Sequence, residues 1–200
     1  MNNNTKIKKI KRVITRYSYY IRGRIIARRL YDEKYLATKY FEKWSSPGWE
    51  WAVHDNWGRR HYDQNRDVPW PVFPNAFVPH PENVIFDPSS LNIFHTSGVY
   101  FQGIGGAKTI IGKNCWVAQN VGFITSNHDP TDPSRHLPAK GIKLGDECWI
   151  GMNSVILPGV ELGNHTVVGA GSIVTKSFPE GHCVIAGNPA KLIRKLDTEG

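Results

Sequence analysis

One polar stretch, residues 126–138, contains two side chains that can carry out acid–base chemistry, His128 and His136. An imidazole can take up and release a proton near neutral pH, and a well-positioned general base typically raises a rate about 10²–10⁴-fold. The chain has eight histidines, however, and a histidine chosen without further information is most often a surface residue. The elements that surround residues 126–138 therefore decide whether this stretch is a site.

A six-residue repeat flanks this stretch on both sides. A six-residue unit holds one short strand and one turn, and three units complete a triangular coil whose large residues form an interior column. The sequence therefore predicts an all-β core built as a parallel β-helix. The large residues that recur at this spacing are Ile111, Val117, Phe123, Leu144, Ile150, Ile156, Leu162, Val168 and Val174.

Cys115 and Cys148 fall on the second inward position of this repeat, which small residues occupy in several units. A free cysteine in such a place behaves as a small hydrophobe, so a structural role is favoured over a nucleophilic one. With Cys183 the cysteines number three, without metal-type spacing, which favours reduced thiols and a cytoplasmic protein.

The repeat loses its phase between Phe123 and Leu144, which are 21 positions apart rather than a multiple of six. The interval is polar and rich in proline, so residues 125–141 are predicted to leave the prism as a loop. A polar loop that interrupts a rigid solenoid is a favoured place for function.

Four regions follow along the chain. Residues 1–43 are predicted as a basic amphipathic helical segment, because isoleucines and a tyrosine recur at steps of three and four. Residues 44–97 are rich in tryptophan and proline and are predicted to be irregular. Residues 98–188 are predicted as the β-helix domain, and residues 189–200 as a C-terminal helix and tail.

The net charge of +8 belongs to the first of these regions, since residues 1–43 hold 13 of the 25 lysines and arginines and only three acidic residues. No apolar run is long enough for a membrane span, and the N-terminus lacks the apolar core of a signal peptide. Both observations favour a cytoplasmic location.

Four segments of the sequence resemble the hexapeptide-repeat acyltransferases, in particular the maltose, galactoside and nodulation acetyltransferases and the O-acetyltransferases of polysaccharide gene clusters. The segments are IGKNCWVAQNVGFITSNHD (111–129), LGDECWIGMNSVILPGVELG (144–163), VVGAGSIVTKSFPEG (167–181) and AGNPAKLIRKL (186–196). General rules favour right-handed crossovers, so the left-handed sense of the β-helix is implied by the resemblance alone. The resemblance also implies a homotrimer with active sites between subunits.

The resemblance assigns roles to individual residues. His128 matches the family's catalytic histidine and is predicted as the general base. Three cations of the predicted co-substrate site suit CoA phosphates, and two small residues suit close approach of the pantetheine arm. No metal is expected, since no three histidines fall at coil spacing, as a γ-type carbonic anhydrase would need. The residues predicted to bind acetyl-CoA are Trp149, Met152, Gly169, Ala170, Thr175, Lys176, Lys191 and Arg194.

Acceptor contacts are predicted for Tyr100, Gln102, Asn127 and His136. Residues 1–100 do not match the sugar-contacting segment of the galactoside enzymes, so their acceptors are not carried over. The function expected is transfer of an acetyl group to a saccharide hydroxyl, for example in a capsule or cell-surface polysaccharide precursor. N-acetylation of an amino sugar and a non-catalytic scaffold stay open as alternatives.

The basic segment 1–43 has two interpretations. It lies on an anionic membrane surface, or its apolar face packs on the trimer while its charge is solvated. Nucleic-acid binding is disfavoured, because the charge is confined to one helix and no nucleic-acid motif is present.

Overall fold

The computed structural model describes residues 3–197, with side chains from residue 5. The chain divides into two units, Met1–Pro74 and Asn75–Gly200, each with its own set of internal contacts. The first unit is helical and the second is the β-helix. Residues 198–200 of the predicted C-terminal tail lie outside the described residues.

The first unit is built on the helix α1 (Asn3–Leu30), which packs against α3 (Gly48–Tyr62). The two helices approach closely at Gly23, where an added Cβ would lie 2.3 Å from the carbonyl oxygen of Trp49. A short helix, α2 (Glu33–Leu36), lies between them in the sequence. No described helix in residues 3–197 has both the length and the apolar character required to cross a membrane.

The prediction of an irregular segment at 44–97 was wrong in two places, since residues 48–62 form α3 and Val84–Phe86 form the first strand of the β-helix. Residues 48–62 contain no proline, and the prolines that suggested irregular structure begin only at Pro69. The buried side chains of α3 include Trp51, Asp55 and Arg59, spaced by four as on one helix face. Asp55 and Arg59 are charged, so the buried face of α3 does not show in the sequence as apolar residues at helical spacing.

A buried polar cluster ties the first unit together. The Tyr31 hydroxyl donates to Asp55 Oδ2 (2.5 Å), and Arg59 Nε donates to the same oxygen (2.8 Å). The remaining Arg59 nitrogens donate to the carbonyl oxygens of Arg66, Val68 and Trp70. Burial raises the pKa of Asp55 from 3.8 to about 6, although Arg59 and Tyr31 oppose the rise. One arginine thus joins α3 to the chain that follows it.

The second unit is a stack of short strands with turns between them. Three 3₁₀ turns, Pro81–Asn83, Pro88–Phe94 and Ile104–Gly106, interrupt the early strands. The strands are β1 (Val84–Phe86), β2 (Tyr100–Phe101), β3 (Thr109–Ile111), β4 (Trp116–Val117), β5 (Gly122–Phe123), β6 (His128–Asp129), β7 (Asp132–His136), β8 (Ile142–Leu144), β9 (Trp149–Ile150), β10 (Val155–Ile156), β11 (Glu161–Leu162), β12 (Thr166–Val168), β13 (Ile173–Val174), β14 (Cys183–Gly187) and β15 (Ala190–Lys195).

Thirteen of these strands form three sheets, which are the three faces of a prism. The first face has the order β1-β3-β8-β11, the second β15-β14-β12-β9-β4, and the third β13-β10-β5-β2. The chain visits them in turn, since β3 lies in the first face, β4 in the second and β5 in the third. Except for β15, every neighbouring pair of strands in these three sheets is parallel. The predicted parallel β-helix is therefore observed.

The predicted interior column is also observed. Leu144 pairs with Leu162 and Ile150 with Val168, so one coil takes 18 residues, or three repeats. Leu144, Ile150, Ile156, Leu162, Val168 and Val174 are at most 2% exposed. Burial of one such side chain contributes about 1.5–3 kcal/mol, so the column is the main stabilising feature of this unit.

The predicted C-terminal helix was wrong. Residues Ala190–Lys195 form β15, which pairs antiparallel with β14. The chain reverses at Gly187, whose φ of 107° is open to glycine alone among common residues. The edge of β14 offers unpaired backbone groups, and a strand satisfies them where a helix would not.

Unfolding experiments on the full chain can test the Asp55 cluster. The folded carboxyl ionises near pH 6 and the unfolded one near pH 4, so the folded state holds an extra proton between these values. The stability advantage of wild type over Asp55→Asn should therefore fall by up to about 3 kcal/mol as the pH rises from 4 to 6. Tryptophan fluorescence in a denaturant titration measures it, since five of the seven tryptophans lie in residues 44–70.

Asp63→Asn is the control, because Asp63 forms an exposed ion pair with Arg66 on the same unit. Its difference from wild type should stay below about 1 kcal/mol at each pH, because an exposed ion pair contributes little to stability. An Asp55→Asn difference that is flat from pH 4 to 6 would contradict the burial of an ionisable carboxyl.

Candidate active site

The polar excursion begins where the chain leaves the third face after β5. Gln102 holds this point, because its Oε1 accepts from the amides of Thr125 and Ser126 (both 2.9 Å). The excursion closes further on, where Lys140 N donates to the carbonyl oxygen of Thr125 (2.8 Å). Both ends of the excursion are therefore fixed at the corner between the third and first faces.

Between these fixed ends the excursion forms a two-stranded hairpin, β6 and β7, outside the three main sheets. His128 and His136 are cross-strand partners, with ring centroids 4.2 Å apart. Both side chains are exposed. The structure thus brings together the predicted base and one predicted acceptor contact.

The hairpin also sets the orientation of the His128 ring. Nδ1 lies 2.7 Å from the carbonyl oxygen of Pro133. A carbonyl oxygen only accepts, so in the neutral ring Nδ1 carries the proton and Nε2 keeps its lone pair. Fixing one ring nitrogen in this way is how proteins set the role of the other. His128 therefore presents an unprotonated Nε2, which a general base requires.

The turn that supplies the Pro133 carbonyl is held by charged side chains. Oδ1 of Asp129 accepts from the amide (2.8 Å) and hydroxyl (2.7 Å) of Thr131, and Asp132 makes the same pair of bonds with Ser134. Arg135 joins the two carboxylates, at 3.1 Å from each. The hydrogen bonds from Thr131 lower the pKa of Asp129, which keeps this carboxylate charged for Arg135.

The sequence did not predict the contacts that orient His128, namely its bond to the Pro133 carbonyl and the Asp129–Arg135–Asp132 bridge. The Pro133 contact is made by a backbone oxygen, which any residue type supplies, so no residue identity could have indicated it. The alternation of Asp with Thr or Ser two positions later is a known turn signal, and it could have indicated the two turns.

The remaining predicted acceptor contacts have different environments. Tyr100 lies on β2 with its ring stacked on Phe77 (5.9 Å). The side-chain oxygen of Gln102 accepts hydrogen bonds from the two backbone amides described above. Asn127 is exposed beside His128, and its carbonyl oxygen accepts from the Leu137 amide (2.8 Å).

Trp149, a predicted acetyl-CoA contact, points outward from the second face. It pairs in register with Trp116 and Val167, and the two indoles are 55% and 63% exposed. The further strands of this face continue the ladder through Val184 to Arg194 on β15. This side of the prism is therefore an outward apolar surface with basic residues at one edge, where Lys191 also lies.

Met152, Gly169 and Ala170 lie at the corner between the second and third faces. The Gly171 amide donates to the Met152 carbonyl oxygen (2.8 Å), so successive coils stack there. An added Cβ on Gly151 would lie 2.6 Å from the Ala170 nitrogen, which shows how closely the two backbones approach. Met152 and Ala170 are both exposed at this corner.

Thr175 and Lys176 lie at the same corner as the histidine hairpin. Gly159 N donates to Gly141 O (3.1 Å), and Ser177 Oγ donates to Gly159 O (3.4 Å). These bonds stack the end of the excursion on the two later coils. One chain thus places Lys176 at the corner from which the His128 hairpin leaves the prism, and places Met152 and Ala170 at the corner across the third face.

The cysteines are buried in the prism. Cys115 Sγ donates to Gly145 O (3.2 Å) and Cys148 Sγ to Gly163 O (3.3 Å). Hydrogen bonding with Cys115 and burial raise the pKa of the Cys148 thiol, so it is protonated at neutral pH. Both residues serve as small interior side chains. Among the described residues, no three His, Cys, Asp or Glu side chains are grouped to hold a metal ion.

Comparison with known proteins gives the class of this domain. Residues 141–176 match the family described as bacterial transferase hexapeptide (six repeats). A Saccharomyces cerevisiae protein provisionally named an acetyltransferase is 44% identical over 97 residues, which is 46% of this chain and 48% of that protein. A Dictyostelium discoideum protein with the same provisional name is 44% identical over 108 residues, 52% of this chain and 55% of that protein.

The structure is similar to that of a hexapeptide-repeat-containing acetyltransferase from Vibrio cholerae. The TM-score is 0.53 at 28% identity, and the match covers 63% of this chain and 70% of that one. The resemblance to hexapeptide-repeat acetyltransferases and the left-handed sense of the β-helix are thereby confirmed. The chain spans about half the length of the curated relatives it matches.

Hydrogen exchange can test the anchor at Gln102. Replacement by Ala leaves two buried amides without an acceptor, which costs about 1–3 kcal/mol in local stability. The amides of Thr125 and Ser126 should therefore exchange roughly 5- to 100-fold faster in Gln102→Ala, as measured by NMR.

Gln102→Glu is the matched control, since a carboxylate oxygen can accept the same two bonds and should preserve slow exchange. Equal exchange rates in wild type and Gln102→Ala would show that the Gln102 side chain does not hold the excursion.

Proposed function

We propose that the protein transfers an acetyl group from acetyl-CoA to a saccharide hydroxyl, with His128 as the general base. The observation that carries this proposal is the bond between His128 Nδ1 and the Pro133 carbonyl, which leaves Nε2 free to accept a proton. The acetyltransferase names of the relatives support the reaction class.

The reaction needs one proton acceptor and no covalent enzyme intermediate. Nε2 of His128 takes the proton of the acceptor hydroxyl as its oxygen attacks the thioester carbonyl carbon. The tetrahedral intermediate collapses, the bond from carbon to sulfur breaks, and the CoA thiolate leaves. The imidazolium then returns its proton to that thiolate, so His128 ends the cycle neutral.

The proposed acetyl-CoA site uses the residues of the later coils. Ala170 and Gly169 have little or no side chain, which allows the pantetheine arm to lie close to the backbone. Lys176, Lys191 and Arg194 are exposed cations that suit phosphate groups. Trp149 offers an exposed flat ring on the second face, the face that also carries Lys191 and Arg194.

A homotrimer is proposed because one chain distributes these residues over different sides of the prism. The corner at Met152 and Ala170 comes before the third-face strands β10 and β13, whereas the hairpin leaves the prism after the third-face strand β5. The Met152–Ala170 corner and the His128 hairpin are thus a whole face apart. A groove between two copies, one supplying the hairpin and the other the second face, would bring both sets to one acceptor.

The acceptor proposed is a saccharide, such as a precursor of a capsule or cell-surface polysaccharide. The hairpin is polar, and its hydroxyl, carboxylate and imidazole groups can hydrogen-bond to sugar hydroxyls. N-acetylation of an amino sugar would use the same base, and analysis of the product distinguishes the two. The proposed location is the cytoplasm, with the first unit in peripheral contact with the inner face of the membrane.

His128→Ala should lower kcat for acetyl transfer about 10²–10⁴-fold, because it removes the base. Release of free CoA from acetyl-CoA, measured across a panel of sugars and amino sugars, provides the assay. His136→Ala should act mainly on KM for the acceptor. His61→Ala, an exposed histidine of α3, is the control and should leave both constants unchanged.

Full activity in His128→Ala would refute the assignment of the base. CoA release at background level with every acceptor, in wild type, would favour a non-catalytic scaffold instead.

Arg135→Ala should lower kcat about 10- to 100-fold with little change in KM for acetyl-CoA, since it loosens the turn that orients His128. Arg135→Lys should recover part of the loss, because an ammonium can still bridge the two carboxylates. Arg66→Ala removes an exposed arginine–aspartate pair of the first unit and is the control. Unchanged kcat in Arg135→Ala would show that the bridge from Arg135 to Asp129 and Asp132 has no role in positioning His128.

A further inference from the structure

An apolar stripe runs along one side of α1 and stays exposed. Its six side chains are 43–63% exposed, which is unusual for isoleucine in a folded protein. The stripe spans five turns of a helix that is about 42 Å long. Its members are Ile7, Ile10, Ile14, Tyr17, Ile21 and Ile25.

Most of the stripe points away from α3. Gly23 lies against Trp49 of α3, and Gly23 and Ala27 are the two buried residues among residues 5–30 of the helix. With 3.6 residues per turn, the centre of the stripe lies roughly 150° around the helix from these two residues. Residues 5–18 of the helix are exposed on all sides. The contact with α3 therefore leaves the isoleucines open to another surface.

The charge on α1 indicates what that surface is. The helix carries ten lysines and arginines and no acidic residue. Lys11, Arg22 and Arg29 border one side of the stripe, and Lys6 and Arg24 border the other, when positions are spaced at 100° per residue. A second copy of α1 packed on this stripe would bring cations of like sign together, which is unfavourable. An anionic surface with an apolar interior satisfies both the cations and the isoleucines.

Aromatic residues lie beside the stripe. The Tyr17 ring lies 6.4 Å from that of Trp44, which is 45% exposed. Tryptophan and tyrosine favour the boundary between headgroups and acyl chains, because each has an apolar ring and a polar atom.

We propose that α1 lies in the plane of an anionic lipid bilayer, with the stripe Ile7–Ile25 inserted below the headgroups and the flanking lysines and arginines bound to lipid phosphates. The inference gives residues to the peripheral contact proposed above, and it holds whether or not the β-helix transfers acetyl groups. The contact would place the protein beside acceptors that are attached to the membrane.

The test is co-sedimentation of the full chain with vesicles of phosphatidylcholine containing 30–40% phosphatidylglycerol, roughly the range in which anionic lipid attracts basic segments. Wild type should bind these vesicles at least about 10-fold more strongly than pure phosphatidylcholine, and binding should fall as salt rises. Ile10→Ser with Ile14→Ser should lower the partition coefficient at least about 10-fold, since it removes two inserted side chains. Lys11→Gln with Arg22→Gln should weaken binding and flatten its dependence on salt.

Ile85→Ser with Ile110→Ser is the matched control, because these exposed isoleucines lie on the first face of the β-helix. It should bind as wild type does. Binding to anionic vesicles that survives Ile10→Ser with Ile14→Ser would overturn the insertion of the stripe. Equal affinity for neutral and anionic vesicles would also overturn the proposal. So would an absence of vesicle binding together with a larger assembly that the same double substitution dissociates, since a second copy would then cover the stripe.

Discussion

Each coil of the β-helix must return its large side chain to the interior axis before the next coil begins. Three six-residue repeats meet this condition, and Ile150 then stacks on Val168 at the same inward position. A residue gained or lost within a coil would turn every later side chain to the wrong side, because strand side chains alternate between faces. The condition governs where the chain can leave the prism and where it must re-enter.

The histidine hairpin follows from this condition. Phe123 pairs with Ile156 across 33 residues rather than 18, so the excursion inserts 15 residues without disturbing the column. Gln102 supports this insertion, because its side-chain oxygen accepts hydrogen bonds from the two amides at the point where the excursion leaves the third face. The excursion is thus an insertion between two correctly stacked repeats, and its chemistry is independent of the core that supports it.

A feature could be predicted from the sequence where it appears as a pattern of residue types along the chain. The interior column, the buried Cys115 and the excursion after Phe123 are patterns of size and polarity, and spacing alone revealed them. β15 was missed, because its pairing depends on the open edge of β14 and not on its own residues. The orientation of His128 was missed for a similar reason, since its partner is a backbone oxygen at Pro133.

The same contact has an evolutionary consequence. A carbonyl oxygen cannot be deleted by replacing one side chain, so the proton arrangement on His128 tolerates many substitutions at position 133. It does not tolerate a change in the number of residues between 128 and 133, which would move the oxygen away from Nδ1. Among homologous chains that share this hairpin, the length of this interval should therefore drift far more slowly than its amino-acid composition.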